Sequence, residues 1–252
     1  MVERRTITER IEFAKTKMEK VLDHFLHVVE LHANNSFVVH SSTLASQIPV
    51  SYAANAFNVF QRSMYQIEIV RLCAIWDRSG ADRESIPTVV DLIDSADVIE
   101  MLAEETRSHH SGMSSRLLNP SDDPELAAIE HDEMRKSEIW FGHEQAEQAK
   151  TALRHAIDAT RAIQCSPQLA SVMNLRHKHL AHSLTQTQAE KGGPIPPMKY
   201  ADGAALLDAT IPIVEHLYCW VNGKSFSIKN SQEIDQENAE ALWKGCKFEV
   251  LR

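Results

Sequence analysis

The chain has 252 residues, 43% hydrophobic, 24% charged and 6% aromatic, with only 8 Gly and 9 Pro. So few turn-forming residues argue against a loop-rich or all-β fold and favour helices. A net charge of −9, from 26 basic and 35 acidic residues, excludes a protein that coats nucleic acid through a generally positive surface; any such contact must be a local basic patch.

The cysteines and the N-terminal segment indicate the cellular compartment. The four cysteines are far apart and form no CxxC pair, so reduced thiols are favoured over a disulfide. The first residues lack the apolar segment of a signal peptide, and no apolar run reaches the ~20 residues that span a bilayer. We therefore expect a cytoplasmic protein that does not enter the membrane.

The first half of the chain reads as helices separated by polar breaks. Residues 34–36 end the first helix, Ser51 is a good N-cap for the second, and Pro87 suits the first turn of the third. The apolar positions of the second helix suggest burial on more than one face. Apolar spacings of three and four predict helices over 3–32, 52–77, 85–93 and about 98–107.

The second half begins after a loop-like region. Ser166 and Pro167 are an N-cap and a first-turn proline, 186–197 is predicted to be a surface loop, and Pro212 is expected to kink its helix. The first half of the charged helix that begins at residue 124 carries few apolar residues and is expected to project. The loop-like region is bracketed by 109–112 and 119–124, and helices are predicted over 124–163, 167–184, 201–221 and 231–245.

These elements predict an all-α, up-and-down helical bundle. We expect one domain over residues 1–252, with a core at about 50–222. The N-terminal long helix and the C-terminal peripheral helix are appended to that core.

One stretch, residues 174–182, gathers an unusual density of basic side chains, and we call it the signature segment. Arginine stays charged and offers bidentate donors to phosphate oxygens. Histidine titrates near neutrality and suits proton transfer. The segment reads Asn-Leu-Arg-His-Lys-His-Leu-Ala-His and contains Arg176, His177, Lys178, His179 and His182.

The signature segment, with Ser183, resembles the Arg-to-His helix of the HEPN superfamily (higher eukaryotes and prokaryotes nucleotide-binding domains). Further stretches resemble its abortive-infection, AbiU-type branch. They are residues 69–72, 76–77, 85–92, 200–203 and 213–217.

The resemblance implies a homodimer with a composite, metal-independent endoribonuclease site, in a toxin–antitoxin or phage-defence system. RNA is then the substrate, an antitoxin protein a further partner, and no cofactor or metal is required. Arg176 and His182 would be catalytic. The residues implied to contact the substrate are Asn174, His177, Lys178 and His179.

Several alternatives stay open. On an ideal helix His182 lies ~120° around and ~9 Å along the axis from Arg176, so either Arg176 reaches round, or the helix is distorted, or a partner chain supplies half of the site. Both residues could instead be surface cations at a helix C-terminus. The fold could be an inactive dimerisation or RNA-binding module, or a metal-dependent helical enzyme in which His179 and His182 are ligands.

Overall fold

The computed structural model describes residues 5–111, 123–199 and 201–249, and no strand occurs in these ranges. The predicted all-α fold class is therefore confirmed. The helices are α1 (Ile7–Val38), α2 (Ser42–Ala45), α3 (Tyr52–Ile75), α4 (Ile86–Ile93), α5 (Ala96–His110), α6 (Pro124–Gln164), α7 (Pro167–Leu175), α8 (Gln188–Gly192), α9 (Asp202–Asn222) and α10 (Ile228–Gly245), and a π-helical turn, Arg176–Leu180, follows α7.

The predicted helix starts are confirmed by their capping contacts. The Ser51 hydroxyl accepts a hydrogen bond from the Ala54 amide at 3.3 Å, and Ser166 accepts one from Leu169 at 3.1 Å. Pro87 lies in the first turn of α4. The two serine hydroxyls bond to amides that have no partner within the helix.

The core is organised around α1, which packs against α3, α4, α9 and α10, while α5 packs along α6. Ile11, Met18 and Phe25 of α1 are fully buried and recur every seven residues, so they form one stripe along the helix. Full burial of each such side chain contributes about 1.5–3 kcal/mol.

The first half of α6 is mostly exposed, as its sparse apolar pattern predicted. Leu126, Ile129 and Trp140 are 52%, 61% and 65% exposed, whereas Leu153 in the second half is fully buried. The predicted loop before α6 lies largely outside the described residues. His109 and His110, expected in that loop, instead form the end of α5.

Two predicted irregular stretches are helical. Residues 34–36 do not end α1, which continues to Val38 because the buried Asn35 amide donates to Glu68 of α3 at 2.5 Å. Part of the predicted loop 186–197 forms α8, which begins with a capping box between Thr187 and Glu190. Tertiary and capping contacts outweigh the local composition at both places.

The outer face of α3 contradicts the expected burial on more than one face. Phe60, Ile67 and Val70 are 42%, 46% and 37% exposed, whereas Leu72 and Ile75 on the inner face are fully buried. The chain therefore leaves an apolar strip of α3 in contact with solvent.

The cysteines carry free thiols, as predicted. By length and composition alone α9 could cross a membrane. It packs against α1 and α6, however, with Leu207, Val214 and Leu217 almost fully buried, as the core helix of a bundle does. Pro212 lies inside α9.

Candidate functional site

The signature segment begins at the end of α7 and departs from α-helical geometry. Residues Arg176–Leu180 form the π-helical turn, and the Ala181 amide donates to the Arg176 carbonyl, five residues back, at 2.8 Å. The helix ends there, so the predicted helix over 167–184 is too long and His182 lies beyond its end. Single π-helical turns are uncommon in proteins, and those that occur are frequently found at functional sites.

Arg176 is held by the carboxylate of Asp77, which lies two residues beyond the end of α3. Its Nη1 and Nη2 atoms donate to the two carboxylate oxygens of Asp77 at 2.6 and 3.5 Å. Both side chains are 20% exposed, so the pair is partly shielded from water. Arg83 Nη1 lies 3.6 Å from the same carboxylate. The guanidinium of Arg176 is therefore fixed in orientation rather than free to rotate.

A second contact one helical turn earlier sets the register of this pair. The Cys73 thiol donates to the carbonyl of Val172 at 3.7 Å, and each of these residues lies four positions before a member of the Asp77–Arg176 pair. Because Cys73 and Asp77 contact Val172 and Arg176 in the same order along the chain, the end of α3 and α7 run in the same direction. Burial raises the pKa of Cys73 to about 12, so this thiol joins the helices and is no nucleophile at neutral pH.

His177 stands next to this pair in a positive environment. Partial burial and then the charge of Arg176 lower the pKa of His177, with Asp77 acting in the opposite direction, and His182 and Arg78 lower it further. Arg176, His182 and Arg78 therefore all lie close enough to affect the charge of His177. His182 and His179 are both exposed.

Asn174 and Lys178 face a different carboxylate. The Asn174 side-chain amide and Lys178 Nζ donate to Glu190 Oε1 at 3.0 and 2.8 Å. Thr187 donates to the Asn174 side-chain oxygen at 2.6 Å. Hydrogen bonds from Lys178, then Asn174 and the Thr187 amide lower the pKa of Glu190 to about 2. This cluster fastens α8 to the signature segment.

An open cavity of about 400 Å³ adjoins the Arg176–Asp77 pair. It is wide enough for a small ligand group, and its wall mixes both signs of charge. Its lining consists of His24, Ala74, Asp77, Asp82, Arg83, Glu84 and Arg176.

A larger cavity of about 940 Å³ lies between α6 and α9 and is lined by His155 and His216, among others. It contains neither Arg176 nor His182, and cavity size alone does not identify a site. Among the described residues, no group of three or more His, Cys, Asp or Glu side chains has metal-binding geometry.

The structure thus divides the predicted site residues, apart from the exposed His179, into two groups. Arg176 and His177 share one environment, which His182 influences electrostatically, whereas Asn174 and Lys178 are bonded to Glu190. The sequence analysis assigned Asp77 no role and included it only in a stretch, 76–77, that resembles the AbiU-type branch. Trp76 is buried, and Asp77 is the partner of Arg176. That resemblance was the signal that could have pointed to Asp77.

Comparison with protein families matches residues 15–242 to the family described as HEPN_AbiU2, AbiU2. No curated protein and no solved structure matches the chain.

Proposed function

Because the chain belongs to the AbiU2 family of HEPN proteins, we propose that it is a metal-independent endoribonuclease of an abortive-infection or toxin–antitoxin system. The observation that carries this proposal is the fixed guanidinium of Arg176 beside His177, with the exposed His182 two residues beyond the π-helical turn.

These side chains suit RNA cleavage by transesterification. A base removes the proton of the 2′-hydroxyl, whose oxygen attacks phosphorus. The bond to the 5′-oxygen breaks, and an acid protonates the leaving oxygen. We assign proton transfer to His182, since imidazole titrates near neutrality. Arg176 stabilises the charge on the phosphorane oxygens, because a guanidinium has donors beyond the two that Asp77 accepts.

The predicted substrate contacts differ in their availability. His177 and His179 are not bonded to a carboxylate in the contacts described above, and the lowered pKa of His177 favours its neutral form, which both donates and accepts hydrogen bonds. Asn174 and Lys178 are already bonded to Glu190, and its carboxylate offsets the charge of Lys178. We therefore assign substrate contact first to His177 and His179.

We further propose that a second copy of the chain completes the site. In this assignment one chain supplies one arginine and one histidine to the reaction, whereas in-line cleavage needs both a base and an acid. The exposed apolar strip of α3 supports such a pairing. It runs from Phe60 through Ile67 and Val70 to Ala74, which itself lines the cavity beside Asp77. Burial of such apolar surface stabilises an interface by about 25 cal/mol per Å².

Cleavage of a structured and an unstructured RNA by the purified protein in EDTA tests the proposal. We expect products ending in 2′,3′-cyclic phosphate and 5′-hydroxyl. Arg176→Ala and His182→Ala should both abolish cleavage, and His131→Ala, on an exposed position of α6, should leave it intact. Identical RNA profiles for the wild type and the double variant would refute enzymatic activity.

A catalytically inactive dimerisation or RNA-binding module on the same fold is the second candidate. The bidentate pairing of Arg176 with Asp77 favours it, because an arginine bonded through both terminal nitrogens also serves as a structural link. RNA binding without cleavage by the wild-type protein would support this candidate.

A further inference from the structure

The cations of the candidate site are mostly neutralised by carboxylates within the same chain. Arg176 and Arg83 both lie within 4 Å of Asp77, and Lys178 lies 2.8 Å from Glu190. In a chain with a net charge of −9, a polyanion requires positive charge that is not already compensated.

Arg78 supplies such a charge. It directly follows Asp77, so the contact that fixes Arg176 also brings Arg78 to the site. It is exposed, and its charge is close enough to lower the pKa of His177. No ion pair between residues in the described ranges includes Arg78.

We propose that Arg78 binds the RNA backbone, donating from its guanidinium to a phosphate oxygen next to the phosphate held by Arg176 and His177. The inference rests on RNA being the substrate, as proposed above. Arg78 thus binds the substrate, whereas Arg176 and His182 act on the reacting atoms. Arginine suits this position because its planar donors match phosphate geometry and it stays charged at all physiological pH values.

The test separates binding from cleavage by using His182→Ala as the parent protein. Fluorescence anisotropy with a 5′-fluorescein-labelled single-stranded RNA gives Kd at several KCl concentrations. Arg78→Ala and Arg78→Lys are compared with Arg154→Ala in the same parent. Arg154 is a matched control because it is an exposed arginine of α6, away from the signature segment and from the apolar strip of α3.

Loss of one phosphate contact on a single strand lowers the slope of log Kd against log salt by about 0.7, equivalent to about fivefold weaker binding at about 0.1 M KCl. We expect this change for Arg78→Ala, recovery to within about twofold for Arg78→Lys, which keeps the charge, and the parent values for Arg154→Ala.

Equal Kd and equal slope for Arg78→Ala and Arg154→Ala would overturn the role of Arg78 alone. A parent protein that binds no RNA would instead overturn the proposed substrate, and the role of Arg78 with it. Thermal unfolding of each variant verifies that the fold is intact, and the exposure of both arginines makes that the expected result.

Discussion

The Nη1 atom of Arg176 lies 2.6 Å from Oδ1 of Asp77, a residue 99 positions earlier in the chain. This contact joins the signature segment to the end of α3. A bidentate ion pair restricts a guanidinium in both position and tilt. Asp77 is therefore a positioning residue for the proposed reaction, and it acts on the substrate through Arg176.

Replacement of Asp77 tests that role. In Asp77→Asn the guanidinium keeps a neighbour of the same shape but loses the charged acceptor. A misplacement of about 1 Å costs about 100-fold in rate, and a hydrogen bond to a charged group contributes about 1.5–3 kcal/mol to stability. We expect kcat for RNA cleavage to fall by about 100-fold with little change in KM. The free energy of unfolding should fall by about 1.5–3 kcal/mol.

The exposed Asp23 of α1 provides the control, since Asp23→Asn should change neither quantity. An increase in cleavage by Asp77→Asn would contradict the positioning role. It would show instead that the ion pair restrains Arg176 in an inactive orientation.

Local sequence signals predicted most of the helices, because capping residues and apolar spacing act over a few positions. Ser51 and Ser166 marked helix starts correctly for this reason. The failures involve distant partners. Asn35 remains helical because it bonds with Glu68, which lies 33 positions away, and no local pattern contains that contact.

The same distinction applies to the candidate site. Residue type alone identified the basic side chains of the signature segment. It could not show that Lys178 faces Glu190 while Arg176 faces Asp77, because each pairing depends on where another segment lies. The helical wheel revealed that an ideal helix separates Arg176 from His182. The π-helical turn shows that the helix is distorted between them, while the joint action of the two side chains stays a prediction.

Close packing of α5 against α6 predicts a strong effect at Gly142. A Cβ atom at this position would lie 2.9 Å from the Arg107 carbonyl oxygen and would collide with the Ser111 hydroxyl. Overpacking of this kind costs about 1–3 kcal/mol, so Gly142→Ala should lower the free energy of unfolding by that amount in urea titration. Gly245→Ala is the control, because its Cβ meets no atom within 4 Å. Equal unfolding midpoints for both variants would contradict the described packing.

The contact between His32 and the buried Glu68 predicts a pH-dependent stability. Their side chains lie 2.8 Å apart. This hydrogen bond raises the pKa of His32 above 6.5, while partial burial opposes the shift. Stability from the pair is complete below pH 6.5 and is lost as pH rises through the folded-state pKa. In urea titrations between about pH 6 and pH 8.5, His32→Gln should remove this decline. A decline as steep in the variant as in the wild type would assign it to other groups.

The Glu190 cluster predicts the opposite dependence, at acid pH. Hydrogen bonds from Lys178, Asn174 and the Thr187 amide lower the pKa of Glu190 from 4.5 to about 2. Its contribution to stability is therefore present above pH 4.5 and is lost as pH falls through 2. Glu190→Gln should unfold at lower urea than the wild type near neutrality, and the difference should shrink across this window. Glu237→Gln, at an exposed position of α10, should retain the wild-type profile. A difference between Glu190→Gln and the wild type that stays constant with pH would show that the carboxylate is protonated equally in the folded and unfolded chains, and that charge does not hold α8 to the signature segment.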